Sequence, residues 1–221
     1  LLDGIPMLGS AAGNVTWATI PTSEVDRVEI VKSGGSALYG SSAMGGVVNI
    51  ITRNAPHKPE TRISTKIGVY SHPRVDEWRW RDSRGLLYNT EISHSRSIGN
   101  HAAWIRVQKR SDDGFMELNW EEAVNISAKL KLNFGNAHSA AFFVNVLDDK
   151  AGLTSIWKSS ANPFEAPEGS SRDGTQGRKV VLNSHYNYVY SPDLAIKTKT
   201  SAYWNEWTSF GVDPDYSNEN R

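Results

Sequence analysis

Between residues 123 and 134 the chain alternates strictly, and that alternation restricts the fold more than any other feature. Val124, Ile126, Ala128, Leu130, Leu132 and Phe134 are separated by Asn125, Ser127, Lys129, Lys131 and Asn133. A strand sends successive side chains to opposite faces, so this segment has one apolar and one polar face. The same period of two recurs in Ile63/Thr65/Ile67/Val69, Ala103/Ile105/Val107, Ala140/Phe142/Val144/Val146, Val180/Leu182/Ser184/Tyr186/Tyr188 and Leu194/Ile196/Thr198/Thr200/Ala202/Trp204, and more weakly in residues 86–96. The strands run roughly ten to twelve residues, against the five or six usual in globular sheets.

The connections add a second constraint. They fall at 71–85, 97–101, 111–122, 135–138, 148–178 and 191–193, long and short in strict turn. An up-and-down meander reads this way when its two ends face different surroundings, as in a transmembrane β-barrel with short periplasmic turns and long outer loops. Tilted strands of about 9–11 residues also match a bilayer core. The expected fold is an antiparallel meander of seven strands, with Val124 to Phe134 toward lipid and Lys129 and Lys131 toward the lumen. Tyr186, Tyr188, Tyr190 and Trp204 fall toward strand ends, as interfacial girdles or as ordinary cross-strand pairs.

Composition narrows the function. Lys plus Arg and Asp plus Glu both total 24, so the formal net charge is zero, and the basic excess of a nucleic-acid binder is missing. With no cysteine in the sequence, thiol catalysis and cysteine-ligated metals are excluded. Mean hydropathy is −0.48, and no apolar run approaches a membrane helix. The chain starts at Leu1 without a signal-peptide pattern, which reads as a removed N-terminus or a piece of a longer chain. The six histidines form no HExxH and no close pair, and no Ser/His/Asp order suggests a nucleophile. Asp213 to Glu219 alternates oxygen ligands but lacks the turn glycine of a calcium loop. No catalytic residue, metal or cofactor is assigned.

Residues 1–55 differ in texture from the rest. Short apolar runs at 26–32 and 46–52 are bounded by Gly and Ser, as strands of a small mixed domain would be. Residues 20–24 read as a one-turn helix entry with Thr22 or Ser23 as cap. Pro56 and Pro59 mark residues 56–60 as a linker, leaving 61–221 to the meander.

Residues 27–53 carry a recognisable order: Arg27-Val-Glu29-Ile, then Ser36-Ala-Leu-Tyr39-Gly40, then Gly45-Gly46-Val-Val-Asn49-Ile-Ile-Thr52. With Asp3-Gly4-Ile5-Pro6 upstream, this closely resembles the end of the plug domain of TonB-dependent outer-membrane receptors. It departs from the family's pattern at Ser33-Gly34, where Gly-Pro is commoner. The resemblance implies a mixed α/β plug remnant followed by the first strands of a barrel of about 22 strands. It further implies active uptake across the bacterial outer membrane, with TonB as a partner acting through a segment outside these residues, outer-membrane lipid around the wall, and a small ligand such as a metal chelate. An iron–siderophore is the default ligand; cobalamin, haem and oligosaccharide stay open, as does a soluble carbohydrate-binding or adhesive β-domain. Arg27 and Glu29 leave the apolar side of their strand, either to pair with lumenal charges or simply to be solvated. Ligand contact is expected from the plug loop (Met7, Leu8, Ser10, Asn14, Trp17), from Arg74, Trp78, Arg79, Trp80 and Arg81 in the first long loop, and from Trp157 in the third. The cationic–aromatic set suits anionic chelates or stacked rings, and lipopolysaccharide phosphates equally.

Overall fold

The computed structural model describes residues 1–7, 17–32, 45–153, 157–170 and 173–211. Leu8, Ser10 and Asn14, the turn Ser36-Tyr39-Gly40 and the 213–219 stretch lie outside them.

Two sheets are present among the described residues. Strands β1 (Val25–Lys32) and β2 (Gly46–Thr52) pair antiparallel in a two-stranded sheet of their own. Strands β3 (Glu60–Val69), β4 (Leu86–Ile98), β5 (His101–Asp112), β6 (Glu121–Phe134), β7 (His138–Gly152), β8 (Gly174–Ser191) and β9 (Leu194–Phe210) form the second. Their order follows the chain, and every neighbouring pair is antiparallel. The expected meander is therefore found. Its long strands exceed expectation: β8 has 18 residues and β9 has 17, so the third long loop shrinks to 153–173.

The β4–β5 turn is only Gly99-Asn100, and Gly99 takes φ +57°. A two-residue hairpin loop needs positive φ there to match the strand twist, and glycine supplies it without steric cost. The wall is inside out compared with a soluble sheet. Along β6, Val124 and Ile126 are each 42% exposed on one face, while Asn125 and Ser127 are 2% and 0% exposed on the other. Ile63 and Ile67 are exposed on the same outer face, and Arg106 and Asn145 are buried on the inner one. A soluble sandwich buries its apolar faces instead.

The one-turn helix expected at 20–24 is found, and two local expectations, its cap and the place of Trp204, are corrected. The helical content of the described part of 1–55 is two one-turn 3-10 segments, Trp17–Thr19 and Thr22–Glu24. The cap position of the second is Pro21, and no side chain caps it. Glu24 is fully buried against Arg53, whose guanidinium also reaches Glu60 at 3.0 Å. Trp204 does not end its strand: it faces Val180 within the apolar band, because β9 runs on to Phe210. The other aromatics do cluster, with His138 stacked on Tyr188 at 4.6 Å and bonded to the Tyr186 hydroxyl at 2.8 Å. These are at once cross-strand pairs and a ring-rich edge near the short turns.

Candidate functional site: the seam between plug strands and wall, and the outer loops

The seam begins with a turn. Leu2 and Ile5 exchange both backbone hydrogen bonds, at 2.8 and 2.9 Å, around Asp3 (φ +50°) and Gly4 (φ +75°). Positive φ at both central residues is the type I′ requirement, which Asp-Gly meets at little steric cost. The Lys199 ammonium reaches over this turn and donates to the Gly4 carbonyl at 3.0 Å.

The turn aims the Asp3 carboxylate at two partners. It accepts from the Thr52 amide (2.9 Å), the Thr52 hydroxyl (2.8 Å) and the Lys129 ammonium (2.8 Å). Lys129 in turn donates to the Thr52 hydroxyl at 2.6 Å. Next to it the Gly4 amide donates to the Asn49 side-chain oxygen at 2.9 Å, and Asn49 donates to Glu29 at 3.2 Å. Four motif residues far apart in sequence (Asp3, Gly4, Asn49 and Thr52) thus meet at one point of the wall. Leu2 and Met7 then pack with Trp104, Phe143 and Val181 of the inner face.

This differs from the pairing considered for Arg27 and Glu29. Arg27 bonds to Glu29 at 3.0 Å and to Asp26 at 2.9 Å, and stays largely exposed. The shared strand puts those acids closer than any barrel charge. The motif turn instead supplies its own ion pair to the inner face of the wall, Asp3–Lys129, beside the Arg53–Glu60 pair at the start of β3. Sequence alternation turned Lys129 inward, but nothing local indicated its partner 126 residues away.

Beside the seam the inner wall holds a buried polar network. Arg106 is 1% exposed and pairs with Glu91 at 2.8 Å and with the Asn125 side chain at 3.2 Å. Asn125, Ser127 and Asn145 bond to one another. Low dielectric makes such a network strong when satisfied and costly when broken.

At the other end, the three long loops interlock through aromatics. Phe115 packs on Phe164 at 4.9 Å and on Tyr70 at 6.1 Å, and Trp78 meets Phe164 edge-on at 5.7 Å. The Trp80 indole N–H donates to the Phe115 carbonyl at 2.9 Å, and Arg81 lies over the Trp80 ring while donating to the Gly114 carbonyl. Tyr70 donates to Asp112 at 2.9 Å, and burial first, then that bond, raises its pKa. Trp78, Trp80 and Arg81 are thus brought together as an interloop clasp, while Arg74 and Arg79 stay exposed on the same loop. Trp157 (64%) and Trp17 (69%) are exposed on separate segments, and Met7 is buried in the seam. Phe115 and Phe164 were not singled out from sequence, since isolated loop phenylalanines carry no periodic signal.

Residues 1–47 match the family model of the TonB-dependent receptor plug domain. Over 75 residues the chain is 43% identical to the vitamin B12 transporter BtuB of Vibrio cholerae, covering 34% of this chain and 12% of the transporter. Among solved structures it resembles the ferric citrate transporter FecA in its unliganded form, with TM-score 0.69 and 18% identity over 94% of this chain and 31% of that one. It also resembles the siderophore receptor PirA of Pseudomonas aeruginosa, with TM-score 0.63 and 17% identity over 95% of this chain and 32% of that one. At those identities the structures speak for the fold, and the chain spans about a third of their length and far less of the curated relatives. A plug-domain match over residues 1–47, joined to an inside-out antiparallel wall that shares its fold with solved outer-membrane receptors, makes the chain similar to TonB-dependent receptors in its first part and like such receptors in the architecture of the rest.

Proposed function

We propose that this chain contributes plug and wall to a receptor that takes up a scarce small ligand, by preference an iron–siderophore, across the outer membrane with energy delivered through TonB. Residues 1–55 act as plug, 56–60 as linker and 61–221 as wall. The observation that carries the reading is the Asp3–Thr52–Lys129 clasp, which holds a plug turn against the lumenal face of the wall. A plug that must block a lumen at rest and yield under load needs attachments of this kind: short, polar and few. Each bond to a charged group stabilises by about 1.5–3 kcal/mol, so the seam resists thermal opening yet is within reach of an energised pull.

On this reading the ligand is met from outside by Trp17, Trp157, Arg74 and Arg79, supported by the Trp78–Trp80–Arg81 clasp. Arginine and indole together suit an anionic, ring-bearing chelate. A second reading, a corrinoid ligand, is favoured by the 43% identity to vitamin B12 transporters. The test uses the full-length receptor in an iron-starved host lacking its own uptake systems. Radiolabelled ferric chelates and cyanocobalamin are offered in turn, with and without the membrane potential. Energy-dependent accumulation of a ferric chelate is the expected result. Accumulation of cobalamin alone selects the second reading, and accumulation of neither overturns both.

A further inference from the structure

Across β4 to β9 lies a trough of about 710 Å³, most of whose lining side chains belong to the outer face, away from the lumen. It is comparable to small-molecule pockets, which run about 300–1,000 Å³. Its low ground comes from small residues, Ala103, Ala128 and Ala202, and its sides from Leu130, Phe142 and Leu182. Register makes this two adjoining rows on one face: Ala103, Leu130, Phe142, Ser184 and Thr200 in one, and Ile105, Ala128, Val144, Leu182 and Ala202 in the next. Short side chains flanked by long ones on adjoining strands leave a furrow where a flush wall would otherwise be.

One end of the trough is charged. Arg96 lines it, is exposed, faces Ala103, and among the described residues makes no hydrogen bond or ion pair. His94 lies two residues further up the same strand face, bonded to Thr61. Arg96 stands two residues from the end of β4 at the short Gly99-Asn100 turn, and the neighbouring Ser97 is tied to Ala55 and to the linker residue Pro56. Short turns mark the periplasmic end. A lipid-side arginine is costly at the midplane but nearly free near the interface, where its stem lies along apolar surface and its head seeks an anion.

We infer that the trough binds one phospholipid of the periplasmic leaflet, an acyl chain lying over Ala103, Ala128 and Ala202 and the phosphate held by Arg96. Charge complementarity selects the occupant: an apolar furrow ending in an unpaired guanidinium matches an amphiphile with a long tail and an anionic head. The guanidinium fork suits phosphate oxygens in a way a lysine point charge does not. The position of Arg96 beside the short turn selects the leaflet. Because the trough lies outside the lumen, the inference stands apart from the identity of the imported ligand.

The experiment uses the full-length receptor, stripped of lipid in detergent and reconstituted in vesicles of phosphatidylethanolamine and phosphatidylglycerol doped with lipopolysaccharide. The receptor is re-extracted mildly and weighed by native mass spectrometry. The expected wild-type result is one retained phospholipid. Arg96→Leu and the trough-filling Ala128→Phe should each lower its occupancy at least fivefold, Arg96→Lys less so. Lys109→Leu, which removes a lipid-side cation toward the outer end, should leave it unchanged. Assembly of each variant is checked by resistance to unfolding in SDS, and Arg96→Gln replaces any variant that fails. Undiminished phospholipid in Arg96→Leu and Ala128→Phe overturns the site. So does an equal loss in Lys109→Leu, which would indicate only unspecific annular lipid, or retained lipopolysaccharide in place of phospholipid.

Discussion

Asp3→Asn isolates the charge of the seam from its geometry. Asparagine tolerates the left-handed backbone that Asp3 adopts at φ +50°, so the type I′ turn is kept. The side chain still accepts from the Thr52 amide through one oxygen. Its NH2 group then faces two donors, the Thr52 hydroxyl and the Lys129 ammonium, where a carboxylate oxygen accepted both at 2.8 Å. Removing one partner of a fully buried ion pair costs about 3–5 kcal/mol. Here the Asp3 and Lys129 side chains are 25% and 13% exposed, so water recovers part of that. We expect about 2–3 kcal/mol after this discount. At tenfold per 1.4 kcal/mol, local opening at Thr52 becomes roughly 30- to 140-fold more frequent. Hydrogen exchange at the Thr52 amide, measured on the full-length receptor, reads this directly. Lys129→Met and the double variant complete a cycle, and the coupling should exceed about 1 kcal/mol. Thr52 protection within twofold of wild type in Asp3→Asn, or strict additivity in the cycle, would refute the assignment of this pair as the plug anchor.

Other outcomes follow from the same structure. Arg106→Met leaves Glu91 unpaired on the inner wall and should destabilise the receptor by about 3–5 kcal/mol in urea unfolding from bilayers, whereas a loss below 1 kcal/mol would contradict the buried network. Ile126→Lys puts a cation on the outer face and should cost about 2–4 kcal/mol in the same assay, while an unchanged midpoint would mean that this face does not meet hydrocarbon. In the third long loop, the Glu165 carboxyl is held below its usual 4.5 first by the Lys158 bond and then by Asn162. Its contribution to loop order is therefore complete above pH 4.5 and lost as pH falls through the lowered folded value. Lys158 is raised by the same bond, so its contribution fades only as pH rises past 10.5. Emission from the adjacent Trp157 should be flat between those limits and change beyond them; a transition near neutrality would speak against this pair.

How far the chain itself wrote this structure varies from one element to the next. Period two in residues 123–134 fixed strand type and the sidedness of Lys129, because a strand leaves each side chain only two directions. Loop alternation fixed nearest-neighbour pairing, since a short turn admits nothing but an antiparallel return. The Asp3-Gly4 dipeptide announced a tight turn for the same local reason, that few residues accept positive φ. What the turn was for did not lie in those residues. The Asp3–Lys129 bond joins positions 126 apart, and Arg27 and Glu29, equally charged and equally placed by alternation, bond to each other instead. Choosing between them takes the distance between two sheets, which no local pattern encodes. The outer loops repeat the point: Trp78, Trp80 and Arg81 stood out by residue type, but Phe115 and Phe164 became partners only once three loops met above the wall. Local sterics are decided by adjacent residues, and pair partners by long-range packing, so the first could be read along the chain and the second only in space.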